Sequence, residues 1–80
     1  MKCRQGYKGY VIEARAHGMR NGGFSAEYCV EEHDAYGVTE RQFHLTDTFQ
    51  SPDAAIAAAT QAGQQKIDAG FERRRSVVNG

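Results

Sequence analysis

The chain reads as an α+β fold: a three-stranded antiparallel β-meander with one C-terminal α-helix packed on one face. Two observations predict it. Three stretches in the first 45 residues alternate apolar and polar side chains with the period of two that a half-buried strand requires, and glycine-rich turns separate them. The segment from Ser51 to Gly70 then switches to a helical period and carries its own start and stop signals.

The first strand is expected over about residues 7–17. Tyr10, Ile12, Ala14 and Ala16 share one side, and Val11, Glu13, Arg15 and His17 the other. Residues 18–23 make the turn, where Asn21-Gly22 is a hairpin signal because both residue types tolerate positive φ. The second strand is expected over about 24–32, with Phe24, Ala26, Tyr28 and Val30 as its apolar set and Ser25, Glu27, Cys29 and Glu31 opposed. His33 to Gly37 turns the chain again, and the third strand, about 38–45, brings Phe43 and Leu45 to the core. Register follows from matching apolar faces, since a one-residue slip turns every side chain over. Ala16 is then opposite Phe24, Ala14 opposite Ala26, Ile12 opposite Tyr28, Tyr28 opposite Phe43 and Ala26 opposite Leu45. The uncovered face carries rows Glu13–Glu27–His44 and Val11–Cys29–Gln42 and pairs Arg15–Ser25 and Glu31–Glu40. It is acidic, with one arginine.

The helix is expected over about residues 52–69. Ser51 suits the N-cap because its hydroxyl accepts from a first-turn amide. Pro52 at the first position loses nothing by lacking an N–H, and Asp53 sits where the helix dipole favours negative charge. Alanine dominates Ala54 to Ala62, and Gly70 supplies the left-handed stop. Ile56, Ala59, Gly63 and Ile67 form the buried stripe, flanked by Ala55, Ala58 and Ala62. Gly63 in a helix interior costs about 1 kcal/mol against alanine. The helix backbone is therefore expected close to the sheet there, with large side chains, Tyr28 and Phe43 among them, filling the space from the other side.

Eighty residues make one domain, 1–80, with a flexible polar tail over 72–80. Ten acids balance ten bases, which removes the charge argument for general attraction to nucleic acid or a membrane surface. No apolar run approaches the ~20 residues of a membrane span. The first residues lack the apolar core of a signal peptide, and two cysteines in that setting suggest reduced thiols, so a cytoplasmic location is expected.

Three strands followed by Thr48-Phe49-Gln50-Ser51-Pro52-Asp53-Ala54-Ala55 and an alanine-rich helix resemble the AP2-type and integrase arm-type DNA-binding domains. Tyr7-Lys8-Gly9 is similar to the Tyr-Arg-Gly opening of AP2 domains. The resemblance covers about residues 7–62 and implies the same sheet-plus-helix fold. The families read the major groove with arginines and tryptophans on the open sheet face. Here those positions are mostly glutamate and the chain has no tryptophan, so the DNA-reading residues do not carry over. The chain as a whole also resembles small uncharacterised proteins of bacterial genomes, which implies no function.

Candidate chemistry is sparse. His17, His33, His44, Cys29, Asp34 and Asp47 are possible metal ligands, but none has the tight spacing of a built site. Cys29 as a nucleophile would need a nearby base and a depressed pKa, and its expected neighbours Glu27, Glu31 and Glu40 push the other way. No enzymatic activity and no cofactor are expected. Asp68, unfavourable at a helix C-terminus, is a candidate partner for Arg41 or the terminal arginines. The sequence points to a binding or accessory protein acting through the open sheet face (Glu13, Arg15, Glu27, Glu31, Glu40 and His44) or through an edge strand. The partner is then another protein or a second copy. The first strand, with Tyr7, Tyr10 and Val11, is expected to be the less protected edge unless Met1–Gly6 covers it. The alternative is weak nucleic-acid binding by Lys8, Arg73, Arg74 and Arg75.

Overall fold

The two residues between Tyr7 and Tyr10 change the architecture. Lys8 and Gly9 both adopt positive φ, 51° and 87°, the conformation of a two-residue type I′ hairpin turn. Residues ahead of this turn therefore fold back as a strand of their own. The computed structural model describes residues 1–70. They form β1 (Lys2–Tyr7), β2 (Tyr10–Gly18), β3 (Phe24–Asp34) and β4 (Gly37–His44), hydrogen-bonded antiparallel in chain order, then the helix α1 (Pro52–Asp68). The sheet has four strands where three were expected. Of the residues expected to begin the first strand, Tyr7 ends β1 and Lys8 and Gly9 form the turn, and β2 is an inner strand, not an edge. The flexible tail expected over 72–80 lies outside the described residues.

The second hairpin turns through Arg20, Asn21 and Gly22. Met19 N donates to Gly23 O (2.8 Å), Gly22 N donates to Met19 O (3.0 Å), and Gly22 takes φ 93°, a three-residue loop with its glycine in the left-handed position. Gly18 therefore pairs with Phe24, Ala16 with Ala26, Ala14 with Tyr28 and Ile12 with Val30. The expected pairing was two residues out, because matching faces defines register only to the nearest two. The β3–β4 register is as expected: Tyr28 pairs with Phe43, and Leu45 N donates to Ala26 O (3.0 Å). Beyond β4 the chain rejoins β3, where Phe24 and Phe49 exchange two backbone hydrogen bonds of 2.9 Å.

Ser51 Oγ accepts from Ala54 N (3.1 Å) at the start of α1, and Gly70 at φ 94° follows its end. The buried stripe is Ala55, Ala59, Gly63 and Ile67; Ile56 is only partly buried. It packs on Ile12, Ala14, Ala16, Ala26, Tyr28 and Val30. Gly63 does meet the sheet closely, but its neighbour is Ile12, not the two rings: a Cβ at Gly63 would stand 2.8 Å from Ile12 Cγ2. Tyr28 and Phe43 instead stack beside the helix, centroids 5.0 Å apart, with Lys66 Nζ 4.8 Å from the Phe43 ring centre. The α1 backbone crosses β2 and β3, touches β1 and does not approach β4. No helix among the described residues is long and apolar enough to cross a membrane.

Candidate functional site

The helix-free face is organised by the strand that sequence reasoning missed. In register, Lys2, Arg15, Glu27 and His44 form one row across the sheet, Arg4, Glu13, Cys29 and Gln42 the next, and Gly6, Val11, Glu31 and Glu40 a third. In the expected rows Glu13–Glu27–His44 and Val11–Cys29–Gln42 the β2 member is displaced by two residues, as is the pair Arg15–Ser25, while the β3–β4 pairs Glu27–His44, Cys29–Gln42 and Glu31–Glu40 stand. β1 brings two cations to a face expected to be acidic and open.

Arg4 binds both central acids. Its Nη1 donates to Glu13 Oε1 (2.9 Å) and Glu31 Oε2 (3.0 Å), and its Nη2 to Glu31 Oε1 (3.3 Å). Arg15 Nε and Nη2 each lie 2.8 Å from Glu13 Oε2. Glu13 and Glu31 consequently retain only 6% and 7% of their exposure, although no helix covers them. Long arginine stems laid across a sheet exclude water in this way. The hydrogen bonds from Arg15 and then Arg4 hold Glu13 below the ordinary carboxylate range, and those from Arg4 and then His33 do the same for Glu31. Arg4 is held correspondingly higher, first by Glu31 and then by Glu13. Glu27 is half-buried among Arg15 (3.6 Å), His17 (3.2 Å) and His44 (3.3 Å). Five of the six expected contact residues, Glu13, Arg15, Glu27, Glu31 and His44, are thus engaged with one another or with β1, His44 through its Nδ1 to Glu27.

Cys29 lies buried between Glu13 and Gln42, not beside Val11. Burial, then the charges of Glu40, Glu31 and Glu13, push its pKa up, so the thiol stays protonated at neutral pH and is a poor nucleophile. The sulfur and the carboxylates of Glu31 and Glu40 lie within 4.8 Å of one another. Arg4 and His33 already occupy the Glu31 oxygens, and the guanidinium charge opposes a cation at the same point. The depression over Arg15, Glu27, Tyr28, Cys29 and Gln42 has no room for a water-sized molecule.

The basic residues separate. Lys2 and Arg4 turn to the helix-free face, whereas Lys8 Nζ turns to the end of α1 and binds Asp68 Oδ1 at 2.7 Å. The Tyr7 hydroxyl donates to the same carboxylate at 2.9 and 3.0 Å. Asp68 is therefore engaged from the first turn of the sheet, a partner the sequence reading did not name. Lys8 and then Tyr7 hold its pKa down. Arg73, Arg74 and Arg75 lie outside the described residues.

What remains open is the edge. β1 and β4 are the outer strands of the sheet. Hydrogen-bonded pairs in an antiparallel ladder recur every second residue. Because Ala26–Leu45 and Phe24–Phe49 are such pairs, Tyr28–Phe43, Val30–Arg41 and Glu32–Thr39 are too. The backbone N–H and C=O groups of Val38, Glu40, Gln42 and His44 then point outward, away from β3. By the same rule the Met1–Ala16 pair aims those of Lys2, Arg4 and Gly6 outward from β1. The β1 edge carries the lysine and arginine that discourage strand pairing. The β4 edge carries one charge, Glu40, among these positions, with Val38 54% exposed and Tyr36 at the adjoining turn 97% exposed. Among the described residues no element lies outside β4. No family model, curated protein or solved structure matches this chain.

Proposed function

We propose that this domain is a small, non-enzymatic cytoplasmic binding module that takes an extended protein segment along the open edge of β4. The observation that carries the reading is the unpaired outward backbone of Val38, Glu40, Gln42 and His44, in a strand that the α1 backbone does not approach. Strand addition draws affinity from main-chain hydrogen bonds and specificity from alternate side chains, so it needs no pocket. Of the residues expected to contact a partner, Glu40 and His44 lie on this edge. Glu13 and Glu31 hold β1 through Lys2 and Arg4, Arg15 braces Glu13, and Glu27 holds His44 from behind the edge.

The test is selection of extended peptides from a random displayed library, followed by amide-resolved NMR titration of the selected sequences. The expected shifts fall on Val38, Glu40, Gln42 and His44 and fade toward β1. Shifts centred on the Glu13–Glu31 cluster or the Lys8 turn would refute the edge reading. A short single-stranded RNA serves as counter-probe: salt-sensitive shifts at Lys8 and in residues 73–75, without peptide binding at β4, would favour the nucleic-acid alternative.

A further inference from the structure

Among the registers centred on the middle of β4, with axes at Glu40, Arg41 or Gln42, one is self-complementary. Two copies paired antiparallel through their outward backbone groups must join even-numbered residues, because those groups belong to Val38, Glu40, Gln42 and His44. A two-fold axis at Glu40 would set Glu40 against Glu40 of the second copy, a like-charge opposition that destabilises a strand pair. An axis at Arg41 would set the two Arg41 side chains opposite each other, with the same defect. An axis at Gln42 opposes no like charges. It sets Gln42 against Gln42, Glu40 against His44 of the second copy, and His44 against Glu40 of the second copy.

We infer that the occupant of this edge is a second copy of the chain, joined β4 to β4 about a two-fold axis at Gln42. The inference rests on β4 being the binding edge. The three residue pairs exchange about six backbone hydrogen bonds, and each copy contributes one acid–imidazole pair. Both α1 helices lie on the same side of the joined sheet, their backbones clear of the junction because neither comes near β4. The outer strands of the pair are then the two β1 edges, with Lys2 and Arg4. Such an interface is closed, whereas β4-to-β1 pairing would continue into a filament.

The test combines mass and register. Sedimentation equilibrium of the full chain at micromolar to millimolar concentration should show a dimer. Glu40→Lys, which sets a cation against each imidazole, should weaken that dimer roughly tenfold. Register is read in a Cys3→Ser, Cys29→Ala background carrying one added cysteine and treated with a short bis-methanethiosulfonate crosslinker. Gln42→Cys should crosslink to itself. Glu40→Cys should not, because its two copies stand about 13 Å apart along the strands. Preferential crosslinking at position 40 overturns the register, and species larger than a dimer overturn the two-fold closure. A monomer at millimolar concentration overturns the second copy as occupant, including the case in which β4 amides are protected by the chain's own residues 71–80. In that event, selected peptides that still map to β4 leave the edge reading standing; peptides that map elsewhere remove both.

Discussion

Replacing Gly63 with alanine sets two quantified effects against each other. Alanine improves helix propensity by about 1 kcal/mol. The added Cβ would stand 2.8 Å from Ile12 Cγ2, 3.2 Å from Cδ1 and 3.3 Å from Cγ1, inside the roughly 3.5–4.0 Å optimum for carbon pairs. Ile12 is 1% exposed and cannot retreat toward solvent, and its β-branched side chain is stiff at χ1. Overpacking of this kind costs about 1–3 kcal/mol, so the expected net loss is about 1 kcal/mol. In a domain of this size that lowers the melting temperature by about 4–8 °C. Urea unfolding followed by far-ultraviolet circular dichroism measures it, with an unchanged m-value as the check that only stability has moved. Ile12→Val removes the Cδ1 contact and alone costs about 0.5–1.5 kcal/mol. Combined with Gly63→Ala, the loss should be smaller than the sum, with coupling of at least about 0.5 kcal/mol. A Gly63→Ala protein as stable as the parent would refute the close contact; strict additivity with Ile12→Val would assign the clash to Cγ2, which valine keeps, rather than to Cδ1.

Acid should destabilise the fold through Glu13 and Glu31. Their folded pKa values are lowered, so their contribution is complete above the ordinary glutamate value of about 4.3 and is lost as pH falls through the folded values. Arg4→Met should lower stability at pH 7 and flatten that acid limb; an unchanged limb in a pH series of urea midpoints would exclude Arg4 as the main cause. Gly9→Ala meets no atom within 4 Å but keeps φ at 87°, so backbone strain alone should cost about 1–2 kcal/mol, measured by thermal melts. Ser51→Ala removes the acceptor for Ala54 N and should cost about 1 kcal/mol, with exchange of the first-turn amides of α1 accelerated. Iodoacetamide followed by mass spectrometry should label exposed Cys3 first; Cys29 should react only as the pH is raised or the chain unfolds.

The helix was legible because its signals are local. Ser51-Pro52, the alanine run and Gly70 each act within a turn of the chain. The Tyr28–Phe43 pairing was legible for the same reason, through the short Asp34–Gly37 turn, where Tyr36 N donates to Asp34 Oδ1 at 2.8 Å. The β2–β3 hairpin misled because Asn21-Gly22 marks a turn without stating its length, and a two-residue slip keeps every side chain on its proper face. β1 was missed because it has almost no apolar alternation. Cys3 and Gln5 share the helix side of the sheet but stay exposed, and Lys2 and Arg4 serve the opposite face. The readable signal was basic residues at a period of two, joined by a two-residue link to a strand that carries Glu13. Without β1, the acids of β2 and β3 looked solvated; with it, they are the buried half of an ion-pair cluster. The edge could be located only after the strands had been counted.

The off-centre seat of α1 makes the molecule unequally resistant to opening. β2 and β3 are held by the helix on one side and by strands on both flanks. β4 is held along one flank alone. Its detachment exposes the Tyr28–Phe43 stack but leaves Ile12, Val30, Ala59 and Gly63 in place. Amides of β4 therefore exchange through a partial opening while those of β2 await global unfolding. Any chain that pairs with β4 closes this opening, so association at the edge registers first as protection of β4, before it registers as added global stability.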